Sequence, residues 1–222
     1  MQRINVVISG FGPYEDLEVN PSYEVSHALA NSENAATMQP SDDVLLHVTS
    51  VALPISFANA WPELLATIER EQADIVIATG VKHAARGVLL ERCATNVIDT
   101  NKPDADNSRP ERTKIVEEGP AAYWTRLPLR KILQCFAHDR IASTLSSDAG
   151  TYVCNSLFYQ LLNWASGQSR NVLAGFVSFP PVAAGKARCG LPLQKQIEAG
   201  QDIVREAARY YVKPSSHGLL LE

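Results

Sequence analysis

Short runs rich in β-branched residues alternate along this chain with longer amphipathic stretches, and that order restricts the possible folds more than any other feature. It is the pattern of an α/β domain whose largely parallel sheet is covered by helices on both faces. Ile4 to Ser9 reads as a first buried strand, and Asn20-Pro21 opens a helix, with Asn20 as cap and Pro21 at the first helical position. A strand is expected near Val44 to Leu53, then a helix from about Phe57 to Glu71 carrying Leu64, Leu65 and Ile68 on one side. Ala73 to Thr79 forms the next strand, ending at Gly80, and Val88 to Ile98 reads as one further extended segment. Asp99 to Glu111, rich in Asp, Asn and Pro, is expected as a polar loop at the surface. A helix over Leu129 to His138, a strand over Ile141 to Ser146, a helix from Thr151 to about Ala165 and a strand over Val172 to Phe179 continue the alternation. Leu193 to Val212 closes it with a long helix whose stripe of Leu193, Ile197, Val204, Ala208 and Tyr211 is predicted to pack on the sheet.

With 222 residues, 45% hydrophobic and 20% charged, the chain suits one domain over 1–222, its tail from Lys213 loosely held. The net charge of -4, with lysine and arginine scattered, gives no basic stripe for nucleic acid. No stretch nears the roughly 18 apolar residues of a membrane span, and the N-terminal apolar run is too short for a signal peptide, so no membrane partner and a cytoplasmic location are expected. Cys93, Cys135, Cys154 and Cys189 show no C-x-x-C spacing and no neighbouring histidine pair, which argues against a zinc site, a disulfide framework or any cofactor held by them.

In open sheets of this type ligands bind where strand ends meet the following loops and helices. Three such places stand out: Ser9 to Asn20, Gly80 to Glu91, and Ser146 to Asn155. The third leads from a strand into a helix, with Thr151 placed to cap and Cys154 in the first turn. A helix start favours thiolate over thiol and is expected to lower the cysteine pKa from about 8.5, while its unpaired N–H groups suit the oxygen of a tetrahedral intermediate. The residues leave a plainer reading open, because Cys154 shares a stripe with Phe158, Leu161 and Ala165 and cysteine is a common core residue.

The run Ser146-Ser-Asp-Ala-Gly-Thr-Tyr-Val-Cys-Asn155 resembles the S-x-x-A-G-T-Y/F-V-C-N signature of the pyrrolidone-carboxylate peptidases, or pyroglutamyl peptidases type I. Gly10-Phe-Gly-Pro-Tyr-Glu-Asp-Leu-Glu-Val-Asn-Pro-Ser22 is similar to that family's G-F-x-P-F…N-P-S opening, and Glu91-Arg-Cys-Ala-Thr-Asn96 to its E-R-x-A-x-N segment. The resemblance implies a three-layer α/β/α sandwich with a largely parallel, mixed central sheet. It also implies a cysteine peptidase that removes an N-terminal pyroglutamyl group, without metal or cofactor, and often a homo-tetramer. Cys154 matches the nucleophile and Glu91 the acid that orients the histidine. The histidine itself does not carry over: in Gly175-Phe-Val-Ser-Phe-Pro180, Ser178 stands where the family has it. Val81 and His83-Ala-Ala85 also depart from the family's glycine-rich stretch, and Asn101 stands where an arginine is frequent. For the small flat lactam the resemblance assigns apolar walls to Phe11 and Tyr14, with Tyr152 and Val153 beside the nucleophile and a polar fixing role for Asn20.

Amide hydrolysis by a thiol moves two protons, one off the thiol and one onto the departing amine. A serine hydroxyl titrates far above neutral pH, whereas imidazole exchanges protons near about 6.5. Two readings therefore stand side by side. One is a hydrolase, impaired or with the imidazole supplied by His83 in the loop after the Ala73 to Gly80 strand. The other is a catalytically inactive relative that binds blocked peptide N-termini or a similar lactam. His27, His47, His138 and His217 lie on helices, a strand or the tail and have no claim on the site.

Overall fold

The computed structural model describes residues 1–13, 19–31, 37–183 and 190–215. Among these, the chain runs β1 (Gln2–Phe11), α1 (Pro21–Leu29), β2 (Val44–Leu53), α2 (Ala60–Glu71), β3 (Ile75–Val81), β4 (Val88–Glu91), β5 (Cys93–Thr95), β6 (Ala122–Trp124), α3 (Leu129–His138), β7 (Ser143–Ser146), α4 (Val153–Ser166), β8 (Leu173–Phe179) and α5 (Leu193–Val212). Six strands form one sheet in the order β2-β1-β3-β8-β4-β7. Its first four members are parallel; β4 runs antiparallel to β8, and β7 is parallel to β4. The sheet is thus mixed and mostly parallel. β3 and β8, at its centre, are apolar runs buried on both faces, as central strands of a covered sheet must be.

Side chains alternate across the sheet and create two cores. Ile4, Val6, Ile8, Ile75, Ile77, Val177 and Phe179 pack with α1, α3 and α5 on one side. Val7, Val76, Ala78, Ala174 and Phe176 pack with α2 and α4 on the other. Each fully buried side chain such as Leu64 or Ile68 of α2 contributes about 1.5–3 kcal/mol by leaving water.

Four expectations need correction. The extended segment at Val88 to Ile98 breaks at Arg92: β4 belongs to the large sheet, and β5 pairs with β6 in a separate two-stranded one. The 99–111 loop is not merely a surface element, because Asp104 is buried and accepts the N–H groups of Phe57 (2.9 Å), Asp106 (3.0 Å) and Ser108 (2.8 Å). The expected stripe of α5 does face the core, with Val204 and Ala208 buried and Leu193, Ile197 and Tyr211 packed against it, but Ala199, Ile203 and Ala207 share the burial and the helix packs chiefly on α1 and α3 rather than on the sheet. Gly200 permits this, since a Cβ there would lie 2.8 Å from both Leu29 and Val25. Finally, α4 starts at Val153, and Thr151 does not cap it. Cys189, Tyr14, His217 and most of the tail lie outside the described residues.

Candidate active site

Cys154 is the second residue of α4, whose cap position is held by Tyr152 without a side-chain bond. Thr151 instead donates its hydroxyl to the backbone oxygen of Asp99 at 2.6 Å. The first hydrogen bond of the helix runs from the N–H of Ser156 to Tyr152 at 3.1 Å, so the N–H groups of Val153, Cys154 and Asn155 lie ahead of the helical ladder. The next residue locks this turn in place. Asn155 accepts the N–H of Thr95 at 3.0 Å and donates to the oxygens of Thr95 (2.9 Å) and Val97 (3.1 Å), binding the start of α4 to β5.

The cysteine as a whole is half-buried, with its sulfur turned toward the sheet. A Cβ on Gly80 would stand 2.9 Å from Sγ and 2.9 Å from the Phe176 ring, so only glycine lets the sulfur come this close to β3. Gly80 is paired with Ser178, and Ser178 with Leu89; Glu91 is paired with Phe176. Paired residues project to the same side, so Ser178, Phe176, Glu91 and the bare face of Gly80 all look toward α4. On that face the Ser178 hydroxyl donates to Glu91 Oε1 at 2.7 Å. Oε2 of Glu91 is buried and accepts no bond of proper geometry. The nearby Ser146 hydroxyl is instead placed to donate to the backbone oxygen of Asp148 at 3.3 Å.

Burial pushes the Glu91 carboxyl above the usual range, opposed by the Ser146 and Ser178 hydroxyls and the charge of Lys82. The Cys154 thiol is pushed up to about 12, first by burial and then by the negative charge of Glu91, with Lys82 and its own backbone N–H pulling the other way. This runs against the expectation of a thiolate made by the helix start, because the shift is upward. A helix terminus supplies at most about 2 kcal/mol, or about 1.5 pKa units, too little to offset enclosure beside a carboxylate.

The residues expected to line the lactam are placed in three different ways. Phe11 and Val153 are 3% and 1% exposed and form part of the second core, so they close the site from behind. Asn20 is a cap, as its position predicts: its side-chain oxygen accepts the N–H (3.1 Å) and hydroxyl (2.8 Å) of Ser22, while its amide donates to Gly12 at 2.8 Å. Tyr152 is better exposed. Its ring meets Phe57 edge-on at 5.3 Å, its hydroxyl donates to Pro103 at 2.7 Å, and Lys102 lies 5.5 Å over the ring. The 99–111 loop is therefore strapped across the tyrosine two residues before Cys154.

His83 lies exposed in the turn after β3, and the charge from this turn that reaches Cys154 and Glu91 is that of its neighbour Lys82. His27 stacks on Tyr23, His47 faces Glu71 at 3.6 Å and His138 faces Asp139 at 2.6 Å. Sequence reasoning missed Lys82, Phe57, Asp104 and Asn155. For Asn155 the signal was its place in the Cys154 motif; a single lysine or phenylalanine in a loop carries none. It also missed that Cys135, Asp139 and Asp202 converge between α3 and α5, their ligand atoms within 4.8 Å of one another. That cluster belongs to the other face of the sheet and already holds a cation, since Arg205 donates to both Cys135 Sγ (3.3 Å) and Asp202.

The sequence model of one protein family, described as pyroglutamyl peptidase, matches residues 4–209. Pyrrolidone-carboxylate peptidase of Bacillus subtilis is 34% identical over 178 residues, covering 80% of this chain and 79% of its own length. That of Pseudomonas fluorescens is 34% identical over 175 residues, covering 79% and 78%. Among solved structures, pyroglutamyl peptidase I of Bacillus amyloliquefaciens superposes with a TM-score of 0.85 at 28% identity, over 95% of this chain and 97% of the other. Pyrrolidone carboxyl peptidase of Thermococcus litoralis gives 0.85 at 27% identity, over 99% of each chain.

Proposed function

The chain belongs to the pyroglutamyl peptidase family, and from that premise we propose that it removes an N-terminal pyroglutamyl group from peptides with Cys154 as nucleophile, Ser178 occupying the place of the catalytic histidine. The observation that carries this reading is the 2.7 Å bond from Ser178 to Glu91 on the sheet face that Cys154 approaches. A serine there accepts the orientation that Glu91 offers but holds no proton of its own to trade at neutral pH. It can only pass one along. In this reading the thiol proton ends on Glu91, whose burial makes the carboxyl a better proton holder than an exposed glutamate. The sulfur then adds to the scissile carbonyl, and the same proton returns to the departing amine.

Loss of one triad member lowers turnover by roughly 10⁴- to 10⁶-fold, so the peptidase is slow on amides. Activated esters, whose leaving groups need no proton, suffer less. In this reading Tyr152 is the wall the lactam meets, Phe11 and Val153 close the site behind it, and Asn20 holds the Gly12 loop; a wall role for Tyr14 rests on the family resemblance alone. The packing of the Cys154 sulfur against Gly80, beside the buried Glu91 that opposes its ionisation, supports a second reading, in which the site binds pyroglutamyl or similar lactam ends without turnover. Hydrolysis of a pyroglutamyl fluorogenic amide and of the matching activated ester by the wild type and Cys154→Ala decides between them. Ester hydrolysis that vanishes in Cys154→Ala supports the peptidase. Equal rates for wild type and Cys154→Ala on both substrates, combined with saturable binding of pyroglutamate seen by calorimetry, support the binding protein.

A further inference from the structure

Lys82 follows β3 directly, two residues beyond the glycine against which the Cys154 sulfur rests. Its backbone N–H donates to Phe179 at 2.9 Å, extending the ladder between β3 and β8, and its carbonyl accepts the N–H of Ala85 at 2.9 Å to close the turn. The backbone of this lysine is therefore held at the end of both central strands. Its side chain reaches the loop that leads into α4, where Nζ donates to the backbone oxygen of Asp148 at 3.1 Å and lies 3.8 Å from the Asp148 carboxylate. The carboxylate is 82% exposed, so the ion pair itself does little for stability. What the tether does is keep a positive charge over the gap between β3 and the Cys154 loop.

This inference rests on Cys154 being the nucleophile. We propose that Lys82 is a positioning residue for it: the ammonium group, tethered to Asp148, supplies the counter-charge against which the thiolate forms, in place of an imidazolium. Among the described residues, the charged groups around the sulfur are few. Glu91 opposes ionisation of the thiol and Lys82 favours it. Asp148 acts on Glu91 and holds Lys82, and Arg92 donates to the Ser147 hydroxyl at 2.8 and 2.6 Å and lies 5.9 Å over the Trp124 ring. An ammonium cannot serve as the base that an imidazole would be, so the arrangement assists attack and leaves protonation of the amine to Glu91.

The test is the rate at which iodoacetamide alkylates Cys154, mapped by peptide mass in the intact protein, as a function of pH and salt. The reagent is uncharged, so the rate follows the thiolate fraction. Lys82→Met should slow alkylation about 10-fold at pH 8, and Lys82→Arg should keep it near wild type. In the unmutated protein, 1 M NaCl should also slow alkylation, because the partly exposed ammonium is screened. A Lys82→Arg loss equal to that of Lys82→Met, an unchanged rate in Lys82→Met, or a salt-independent wild-type rate would each overturn the proposal. Alkylation needs no turnover. Charge-dependent alkylation without any pyroglutamyl cleavage would defeat the peptidase reading alone, and cleavage with charge-independent alkylation would defeat this inference alone.

Discussion

Replacing Ser178 by histidine should turn this site into a much faster peptidase. At pH 7 a thiol of pKa about 12 is ionised in about one molecule in 10⁵, so reaching the thiolate costs about 7 kcal/mol before any bond is made. An imidazole at position 178 removes most of that penalty by taking the thiol proton at a pKa near about 6.5, and then returns it to the amine. The geometry favours the exchange. Ser178 is paired with Gly80, whose missing Cβ is the space the sulfur approaches, and neighbouring strands lie about 4.8 Å apart, so a ring at 178 stands beside Sγ. Glu91 Oε1, now bonded to Ser178, would hold the ring's other nitrogen. General acid–base catalysis is worth about 10²- to 10⁴-fold, and that is the expected rise in kcat/KM for a pyroglutamyl fluorogenic amide in Ser178→His. Circular dichroism and thermal melting establish that the variant is folded. A folded Ser178→His with no gain, or a gain that survives Cys154→Ala in the same background, would refute the reasoning.

Glu91→Gln should stabilise the protein above neutral pH. The carboxyl's folded pKa is raised by burial, so its favourable contribution is present at acid pH and lost as pH rises through that value; Gln loses nothing. Melting at pH 8 should therefore rise, by about 2–4 °C per kcal/mol, with the advantage gone near pH 4. The same variant should speed Cys154 alkylation, because the charge it removes is one that keeps the thiol neutral. Gly80→Ala would set a methyl 2.9 Å from both Cys154 Sγ and Phe176, and denaturant unfolding should show a loss of about 1–3 kcal/mol. Asp104→Ala leaves three backbone N–H groups without their acceptor, so unfolding should show a loss of at least about 2 kcal/mol and limited proteolysis should open the 99–111 loop first.

Elements whose pattern is strong over their whole length are legible from residue order alone. Val44 to Leu53, Leu129 to His138 and Leu193 to Val212 match β2, α3 and α5 end for end, because β-branched runs or helical stripes fill them. The break at Arg92 is not legible, since period-2 alternation continues through Cys93 to Thr95 while the chain changes sheets. β6, three residues long, has too little pattern to register. The motifs imply that Glu91, Ser178 and Cys154 gather at one place, and the sheet register supplies the physical reason and adds Gly80 beneath the sulfur. The direction of the thiol shift lies beyond the sequence. It depends on how far the sulfur sinks against Gly80 and on a carboxylate brought to the same face by an antiparallel strand, neither of which residue order encodes. Lys82 escapes for the same cause: its reach to Asp148 spans residues distant in sequence.

Deacylation offers the most direct test of the account. Hydrolysis of a thioester needs an activated water, and in the reading proposed above the water's proton must reach Glu91 through Ser178 rather than pass directly to an imidazole, so this step is slow. Incubated with an activated pyroglutamyl ester and measured by intact mass, the protein should accumulate one pyroglutamyl adduct, mapped to Cys154, lost in Cys154→Ala and cleared faster in Ser178→His. An adduct on another residue, or none while the ester is consumed, would contradict it.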